Sequence, residues 1–392
     1  MWAFDPGRLG IVQGFDSAKG LVGSVALAAI DGPAAVMLFF VLSGFVLPLG
    51  YFRSGSTEVV ARAAAKRWFR LVGLSFLATL LSYLLFRFGL YHHRDVAEFT
   101  QSEWLGTFGG SHPESDFVPS LRGAMTEGIF LAFLREPDSY VPMLWTMHHE
   151  FIGSFVTFFL ALMIWRAHFA VALWFLACAT VVAQYTDPWL LGFIMGTGLA
   201  WLVSRYGVRP PGVMAFMCLG FGVFLFGYLE PTGVYASFAT LHDSGDAVRY
   251  DRIGVHTASG MLIILGLLGN DWLSMLMTAS VSRFLGRISF PVYLFHFPLL
   301  CSLACGLFII LRPAMSHGAT LAIVAMAYGA SVFVIGYLFA RVDEAWLRWI
   351  NVFADSMNVS IQLRVLSHND DTPHPKRQTS SSEPIRREHS TW

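Results

Sequence analysis

The stretch GPAAVMLFFVLSGFVLPLG, from Gly32 to Gly50, carries no charged side chain over its whole length. A helix needs about 20 mostly apolar residues to cross the hydrocarbon core of a bilayer. Because a lipid-exposed backbone must satisfy its own hydrogen bonds, this stretch is predicted to be a membrane-spanning α-helix. Ser43 and Gly44 place a small pair of residues inside that helix.

The composition of the whole chain also indicates a membrane protein. Of its 392 residues, 55% are hydrophobic and only 13% are charged, and the mean hydropathy is +0.57. A soluble domain is less apolar and more charged. The formal net charge is zero, so no basic field favours a nucleic-acid partner. The four cysteines have no histidine or carboxylate at ligand spacing, and no metal site is predicted.

Further apolar segments predict an all-α fold, a polytopic transmembrane bundle of about nine spans. The predicted spans lie near residues 32–50, 71–90, 143–165, 169–186, 188–204, 213–229, 257–270, 288–311 and 319–340. The segments 188–204 and 257–270 are short, so we expect them to be tilted or re-entrant.

The positions of lysine and arginine predict the orientation of this bundle. Alternate loops, beginning with 51–70, are rich in arginine, and short loops of this kind stay on the cytoplasmic side. The opposite loops, 91–142 and 230–256, carry acids and histidines and are expected to face outward. This alternation places the C-terminus in the cytoplasm.

Three regions flank the predicted transmembrane domain 32–340. Residues 1–31 form a mixed polar leader, and nine spans would leave it outside without a signal sequence, so we expect a further helix before it. Residues 341–353 combine tryptophan and leucine with charged residues, as in a helix on the inner membrane surface. Residues 354–392 are polar and are expected to be a disordered cytoplasmic tail.

Ser43 has two interpretations. A serine nucleophile on a hydrolase elbow needs glycine two residues before and two residues after it, but Val41 and Phe45 occupy those positions. Small residues in membrane helices usually let neighbouring helices approach closely. We therefore expect Ser43 to have a packing role.

Ionisable residues inside the predicted spans are candidates for a functional site, because burying them in a membrane is costly. Glu150 follows His148 and His149, and a carboxylate beside an imidazole can move a proton or orient a base. Consecutive helix residues point in different directions, so the two histidines cannot both face one site. His296 is a further candidate, with Tyr293 one turn before it. The alternative is that these side chains only hydrogen-bond neighbouring helices.

Arg67 and Arg70 lie three residues apart, on one helix face at the predicted cytoplasmic end of a span. Guanidinium groups bind phosphate in a bidentate manner, so this pair suits a phosphorylated ligand. The alternative is simple anchoring to anionic lipid headgroups.

Two motifs in the first half of the chain resemble those of the acyltransferase-3 family of integral membrane O-acyltransferases. FFVLSGF, which starts at Phe39, resembles the signature of the family's second helix. The basic loop AKRWFRL then places Arg67 and Arg70 where the family has its RxxRL pair.

Two more motifs follow in the family's order. LWTMHHE is similar to Trp-x-Leu-x-x-Glu, with Trp145 and Glu150 in register and Met147 in place of the leucine. LGRISFPVYLFHFPL resembles LGxxSYxxYLxHxP, with a phenylalanine for the first tyrosine and with Tyr293 and His296 in place. The resemblance covers about residues 32 to 340.

The resemblance implies a bundle with one helix more than the predicted nine and with both ends inside. It implies an acyl-CoA donor from the cytoplasm, with Arg67, Arg70 and Tyr293 as candidates to bind it, and it supports Glu150 and His296 as catalytic residues. His148 is a further catalytic candidate because of its position beside Glu150 and not because of the resemblance. Family members open with a helix that carries an arginine and a histidine thought to activate the acceptor hydroxyl. Nothing in residues 1–31 replaces that helix, which agrees with the topology.

These observations together predict a membrane O-acyltransferase. It would move an acyl group, expected to be acetyl, from acyl-CoA to a hydroxyl of a carbohydrate or another acceptor. Two other hypotheses stay open: an inactive family member that binds a partner, and a transporter or scaffold whose buried His and Glu relay protons or stabilise the bundle. Transporters often have paired halves, and the sequence contains no internal repeat.

Overall fold

The computed structural model describes residues 31–112, 117–135, 139–228, 235 and 245–370. Within these ranges the chain forms helices and turns and no strand, so the all-α prediction is confirmed. The chain divides into two units, residues 1–347 and 348–392.

The first half of the chain supplies three long helices with short helices between them. α1 (Gly32–Val46), α2 (Leu49–Ser54) and α3 (Thr57–Arg87) come first. The short helices are α4 (His93–Thr100), α5 (Glu103–Gly106) and α6 (Leu121–Thr126), which runs through a π-helical turn (Glu127–Leu131) into α7 (Ala132–Leu134). A 3-10 turn (Pro142–Leu144) then leads into α8 (Trp145–Ile164).

The second half continues the same pattern. It contains α9 (Phe169–Thr186), a 3-10 turn (Pro188–Leu190), α10 (Leu191–Tyr206), α11 (Gly212–Phe226), α12 (Gly245–Leu268) and α13 (Asp271–Met277). α14 (Ser280–Leu299) continues through a π-helical turn (Leu300–Ala304) into α15 (Cys305–Leu311), and α16 (His317–Asp370) is the last helix.

Each of the nine predicted spans contains a helix, but not all of these helices are long enough to cross a membrane alone. Among the described residues, six helices are long and apolar enough, or seven if the pair α12 and α13, bent by 104°, counts as one span. α10 and α11 have only 16 and 15 residues. The protein is therefore a polytopic membrane protein in which several helices are short or broken.

The C-terminal helix differs from the predicted boundaries. α16 continues to Asp370 without a break at 341 or 354, so residues 341–353 belong to the same helix as the last span. Extending an existing helix avoids the cost of nucleation, which is why a polar sequence can continue it. The residues from 371 onward, like 1–30, lie outside the described residues.

Glycines allow α1 and α10 to cross in close contact. A Cβ atom on Gly196 would lie 2.1 Å from the Val41 carbonyl oxygen, and one on Gly44 would lie 2.3 Å from the Phe193 carbonyl oxygen. A larger residue at either position would push the helices apart. The packing role expected for Ser43 is therefore performed by its neighbour, Gly44.

Loops rich in arginine meet at one end of the bundle. Arg205, at the end of α10, donates a hydrogen bond to the carbonyl oxygen of Trp165, which follows α8. The Trp165 ring in turn stacks on Phe52 of α2, with the ring centroids 4.9 Å apart. The structure thus brings together three of the basic segments that the sequence assigned to one side, although the predicted loop 51–70 is helical and forms the end of α2 and the start of α3.

Candidate functional site

The centre of the bundle holds a buried ion pair. Arg67 of α3 donates a hydrogen bond from Nη2 to Oε1 of Glu150 on α8, 83 residues away in sequence. The two residues are only 6% and 3% exposed. A charged side chain at such a position needs a partner, because moving an unpaired ion out of water costs about 3 kcal/mol or more. Two of the predicted site residues are thereby joined.

Ser43 is the third member of this centre. Its Oγ donates to the same oxygen, Glu150 Oε1, over 3.0 Å. Ser43 lies on α1, which is held in register by the contact of Gly44 with α10. The small pair in the first span therefore has two functions: Gly44 allows the helices to cross, and Ser43 completes a polar centre made by α1, α3 and α8.

Two polar atoms of this centre deserve notice because they are buried. Among the described residues, Glu150 Oε2 and Arg67 Nε are buried and make no hydrogen bond. Buried polar groups in proteins are almost always hydrogen-bonded, so such an exception calls for an explanation. One carboxylate acceptor and one guanidinium donor are thus available to a ligand that enters the centre.

Arg70 has a different environment from Arg67, although both belong to α3. Arg70 is exposed and lies within electrostatic range of Asp343 on α16. The two arginines of the predicted pair therefore differ in their environment. Arg67 is committed to the Glu150 carboxylate, whereas the Arg70 guanidinium remains accessible.

The adjacent histidines on α8 point to different neighbours, as the helix geometry predicts. Nδ1 of His148 lies 3.0 Å from the Phe133 carbonyl oxygen. His149 is 1% exposed, and its Nε2 faces Oδ2 of Asp187 at 3.3 Å. Its Nδ1 lies 3.0 Å from the Trp145 carbonyl oxygen. Because both ring nitrogens of His149 face acceptors, it has no ring nitrogen left over as a base.

His296 and Tyr293 lie together on α14, with ring centroids 6.0 Å apart. Nδ1 of His296 lies 2.7 Å from the Tyr293 carbonyl oxygen. A neutral ring that carries its proton on Nδ1 donates to this oxygen, and its Nε2 is then an acceptor. The Tyr293 hydroxyl donates to the Met143 carbonyl oxygen over 3.3 Å. Within the described part of the chain, no hydrogen bond joins this pair to Glu150.

A second buried ionic cluster fixes the start of α1. Asp31 accepts a hydrogen bond from the Ala34 backbone N–H at 3.0 Å, which caps the helix. The same carboxylate faces Arg252 at 3.3 Å and His256 at 3.6 Å, both on α12. The sequence analysis missed this cluster and Asp187, because an acid at a helix end is ordinary and its partners lie far away in sequence.

Comparison with known proteins gives one match. A family model described as an acyltransferase domain matches residues 11–341, which is most of the chain and includes α1 to α15. The resemblance inferred from four short motifs is therefore confirmed over a longer range than the motifs themselves. No curated protein and no solved structure matches the chain.

Proposed function

Since the chain belongs to the acyltransferase-3 family, we propose that it is a membrane O-acyltransferase with acyl-CoA as the donor. The acyl group is acetyl, and the acceptor is a hydroxyl of a carbohydrate or of another hydroxylated compound. Acyl transfer in general follows from the family, and the donor, the acyl group and the acceptor are the proposal.

The observation that supports this function is the polar centre of Ser43, Arg67 and Glu150. Ionisable residues inside a membrane-spanning bundle are costly, and they tend to mark a functional site. The pair also keeps Glu150 Oε2 and Arg67 Nε unpartnered among the described residues. A hydrogen-bond acceptor and a donor side by side suit acyl transfer, in which the attacking hydroxyl loses a proton and the thioester carbonyl oxygen gains negative charge.

The proposed reaction uses these two atoms in turn. Glu150 Oε2 accepts the proton of the acceptor hydroxyl while the hydroxyl oxygen attacks the thioester carbonyl carbon. The Arg67 Nε–H group donates to the carbonyl oxygen as it gains negative charge. The carbon–sulfur bond then breaks, and the CoA thiolate takes the proton from Glu150. The products are an ester and free CoA, with every proton accounted for.

The remaining predicted residues have supporting places in this scheme. Arg70 is exposed and binds a phosphate of the CoA nucleotide. His296 retains Nε2 as an acceptor and, with Tyr293, lines the path of the donor. His148 is bonded through Nδ1 and also keeps Nε2 available, so it is the second candidate for a proton acceptor.

The test replaces one buried glutamate at a time. We expect Glu150→Gln to lower transfer of radiolabelled acetyl from acetyl-CoA to membrane products by a factor of about 100 or more, because glutamine cannot accept the proton. The assay uses membranes of cells that express the protein, with label in the acyl group only.

Glu127→Gln is the matched control. Glu127 is also buried, at 3% exposure, but its Oε1 accepts from the Tyr140 backbone N–H, a role that a glutamine oxygen can also perform. We expect this variant to keep wild-type transfer. Full transfer by Glu150→Gln, at equal protein abundance, would refute the role of Glu150.

A further inference from the structure

The last helix, α16, is fixed to the charged end of α3. Trp346 of α16 donates a hydrogen bond from Nε1 to the Phe69 carbonyl oxygen over 2.7 Å. The same side chain fills the space beside Gly73 of α3, where a Cβ atom would lie 2.7 Å from Nε1. Arg70 lies between Phe69 and Gly73 in the sequence. Helix α16 therefore passes beside an arginine that is proposed to bind the donor.

The start of α14 meets the same part of α16. Nε of Arg287 lies 3.2 Å from Oε1 of Glu344, and these side chains are 50% and 32% exposed. The preceding residue, Asp343, lies within electrostatic range of Arg70. Its Oδ1 atom is buried and has no hydrogen-bond partner among the described residues. Two consecutive acids of one helix therefore face two arginines that come from two other helices.

These three helices meet at one level of the bundle. Arg70 comes directly before the predicted span 71–90, and Arg287 comes directly before the predicted span 288–311. Asp343 and Glu344 follow the predicted span 319–340. All four side chains therefore belong to the basic end of the bundle, where the donor is proposed to enter.

The arginines at this end are available to a ligand in a way that Arg67 is not. An ion pair between partly exposed side chains contributes less than about 1 kcal/mol, so a phosphate can compete with Glu344 for Arg287. Guanidinium groups match phosphate oxygens in a bidentate manner. Consecutive helix residues point about 100° apart, so Asp343 and Glu344 face two separate guanidinium groups. This arrangement suits a ligand that carries phosphate at two positions.

We propose that Arg287 binds the 3′-phosphate of the CoA nucleotide, while Arg70 binds its pyrophosphate. The inference rests on the proposed function, in which acyl-CoA is the donor, and it adds a residue from another helix. Arg70 lies one turn from Arg67 on α3, so it receives the phosphates that are nearer to the acyl group. The 3′-phosphate, at the adenosine end, is then left for Arg287. Glu344 is a positioning residue that holds Arg287 at α16 when no donor is bound.

The test compares two ligands that differ by one phosphate. The full chain is purified in an uncharged detergent without added lipid, and its dissociation constants for CoA and 3′-dephospho-CoA are measured by isothermal titration calorimetry. We expect the wild type to bind CoA about tenfold more tightly, the effect of one charge-assisted contact. Arg287→Gln should bind both ligands equally, with unchanged affinity for 3′-dephospho-CoA. Arg70→Gln should bind both more weakly and keep the preference.

Arg53→Gln is the matched control. Arg53 is an exposed arginine in the last turn of α2, at the same basic end of the bundle. Its replacement removes the same charge and should keep the wild-type preference. If Arg287→Gln loses both ligands, Arg287→Lys, which keeps the charge, decides the matter. We expect this variant to prefer CoA, and equal binding of the two ligands would overturn the proposal.

The outcomes also separate this proposal from the proposed function. Equal affinity of the wild type for the two ligands would overturn the proposal, and so would a wild-type preference in Arg287→Gln or a lost preference in Arg53→Gln. A wild type that prefers CoA but transfers no acetyl group would contradict the proposed function and leave the role of Arg287 standing. Normal acetyl transfer without a preference for CoA would do the reverse.

Discussion

Two hydrogen-bond donors, Ser43 and Arg67, meet one oxygen of Glu150 and leave the other oxygen of that carboxylate unpartnered among the described residues. The arrangement fixes the carboxylate, because its donors come from two different helices. At the residue scale, the second oxygen is the atom that the proposed reaction uses to accept a proton.

His93 gives a prediction at the same scale, outside the spanning helices. It begins α4, is 3% exposed, and neither ring nitrogen has a hydrogen-bond partner among the described residues. Burial lowers the pKa of His93 from 6.5 to about 4, and the nearby charges of Arg94, His112 and His92 add to that effect. The folded protein therefore favours the neutral ring.

The sign of the pH dependence follows from this direction. The contribution of neutral His93 to folding stability is complete above pH 6.5 and is lost as the pH falls toward 4. At pH 5 the loss is about 2 kcal/mol relative to neutral pH. We expect His93→Phe to flatten the fall in melting temperature between pH 7.5 and pH 5, measured by fluorescence in detergent.

His92→Phe provides the comparison, because the His92 side chain is 38% exposed. This variant should keep most of the acid sensitivity of the wild type, because burial, the largest cause of the lowered pKa of His93, is unchanged and His92 is the smallest of the four causes. An identical pH profile for His93→Phe and the wild type would show that His93 does not titrate in this range.

The sequence predicted Arg67 and Glu150 as site residues, but it predicted neither the part of Ser43 in this centre nor the arrangement of the three residues. Arg67 and Glu150 are recognisable because a charge in an apolar run is unusual and because both fall in motif positions. Their pairing joins residues 83 apart, and one sequence carries only local patterns, so it could not be predicted. For the same reason the sequence predicted a phosphate as the ligand of Arg67, because its pairing with Glu150 cannot be read from one sequence.

At the scale of elements, the crossing of α1 and α10 sets the geometry of the centre. Gly44 and Gly196 bring the two backbones into contact, and Ser43 is then held within reach of α8. A wider separation of these helices would move Ser43 away from Glu150. The helix crossing and the site are therefore coupled.

A pair of glycine substitutions tests the close contact of α1 and α10. Gly196→Ala would place a Cβ atom 2.1 Å from the Val41 carbonyl oxygen, whereas Gly220→Ala on α11 meets nothing within 4 Å. We expect Gly196→Ala to destabilise the protein by about 1 to 3 kcal/mol through overpacking. Gly220→Ala should be neutral or stabilising by up to about 1 kcal/mol, because alanine favours a helix.

Thermal unfolding of the two variants in the same detergent supplies the measurement. If both melt at the same temperature, the close contact of α1 and α10 is wrong.

The elements were predictable where a long apolar run exists and not elsewhere. All nine predicted spans contain helices, because about 20 apolar residues leave few alternatives in a membrane. The segment α6 to α7 was missed because it is short and lies between charged residues. Its place beside α3 depends on packing against Phe76 and Trp68, which no local pattern contains.

At the scale of the whole molecule, the proposed site is buried among α1, α3 and α8, and charged side chains gather at the ends of helices. Basic segments at the α2–α3 junction, after α8 and at the end of α10 meet at one end. Asp31, with Arg252 and His256, holds α1 to α12 elsewhere. We predict that the basic end faces the cytoplasm, where acyl-CoA is found. A donor entering there would reach Arg70 before Glu150.

The most direct test of this account is an experimental structure of the protein in a bilayer disc with a non-hydrolysable acetyl-CoA analogue. We predict that the carbonyl of the analogue lies within hydrogen-bond reach of Arg67 Nε and beside Glu150 Oε2, with its nucleotide toward Arg70. An analogue bound elsewhere, with the Ser43, Arg67 and Glu150 contacts unchanged and closed to it, would contradict the account.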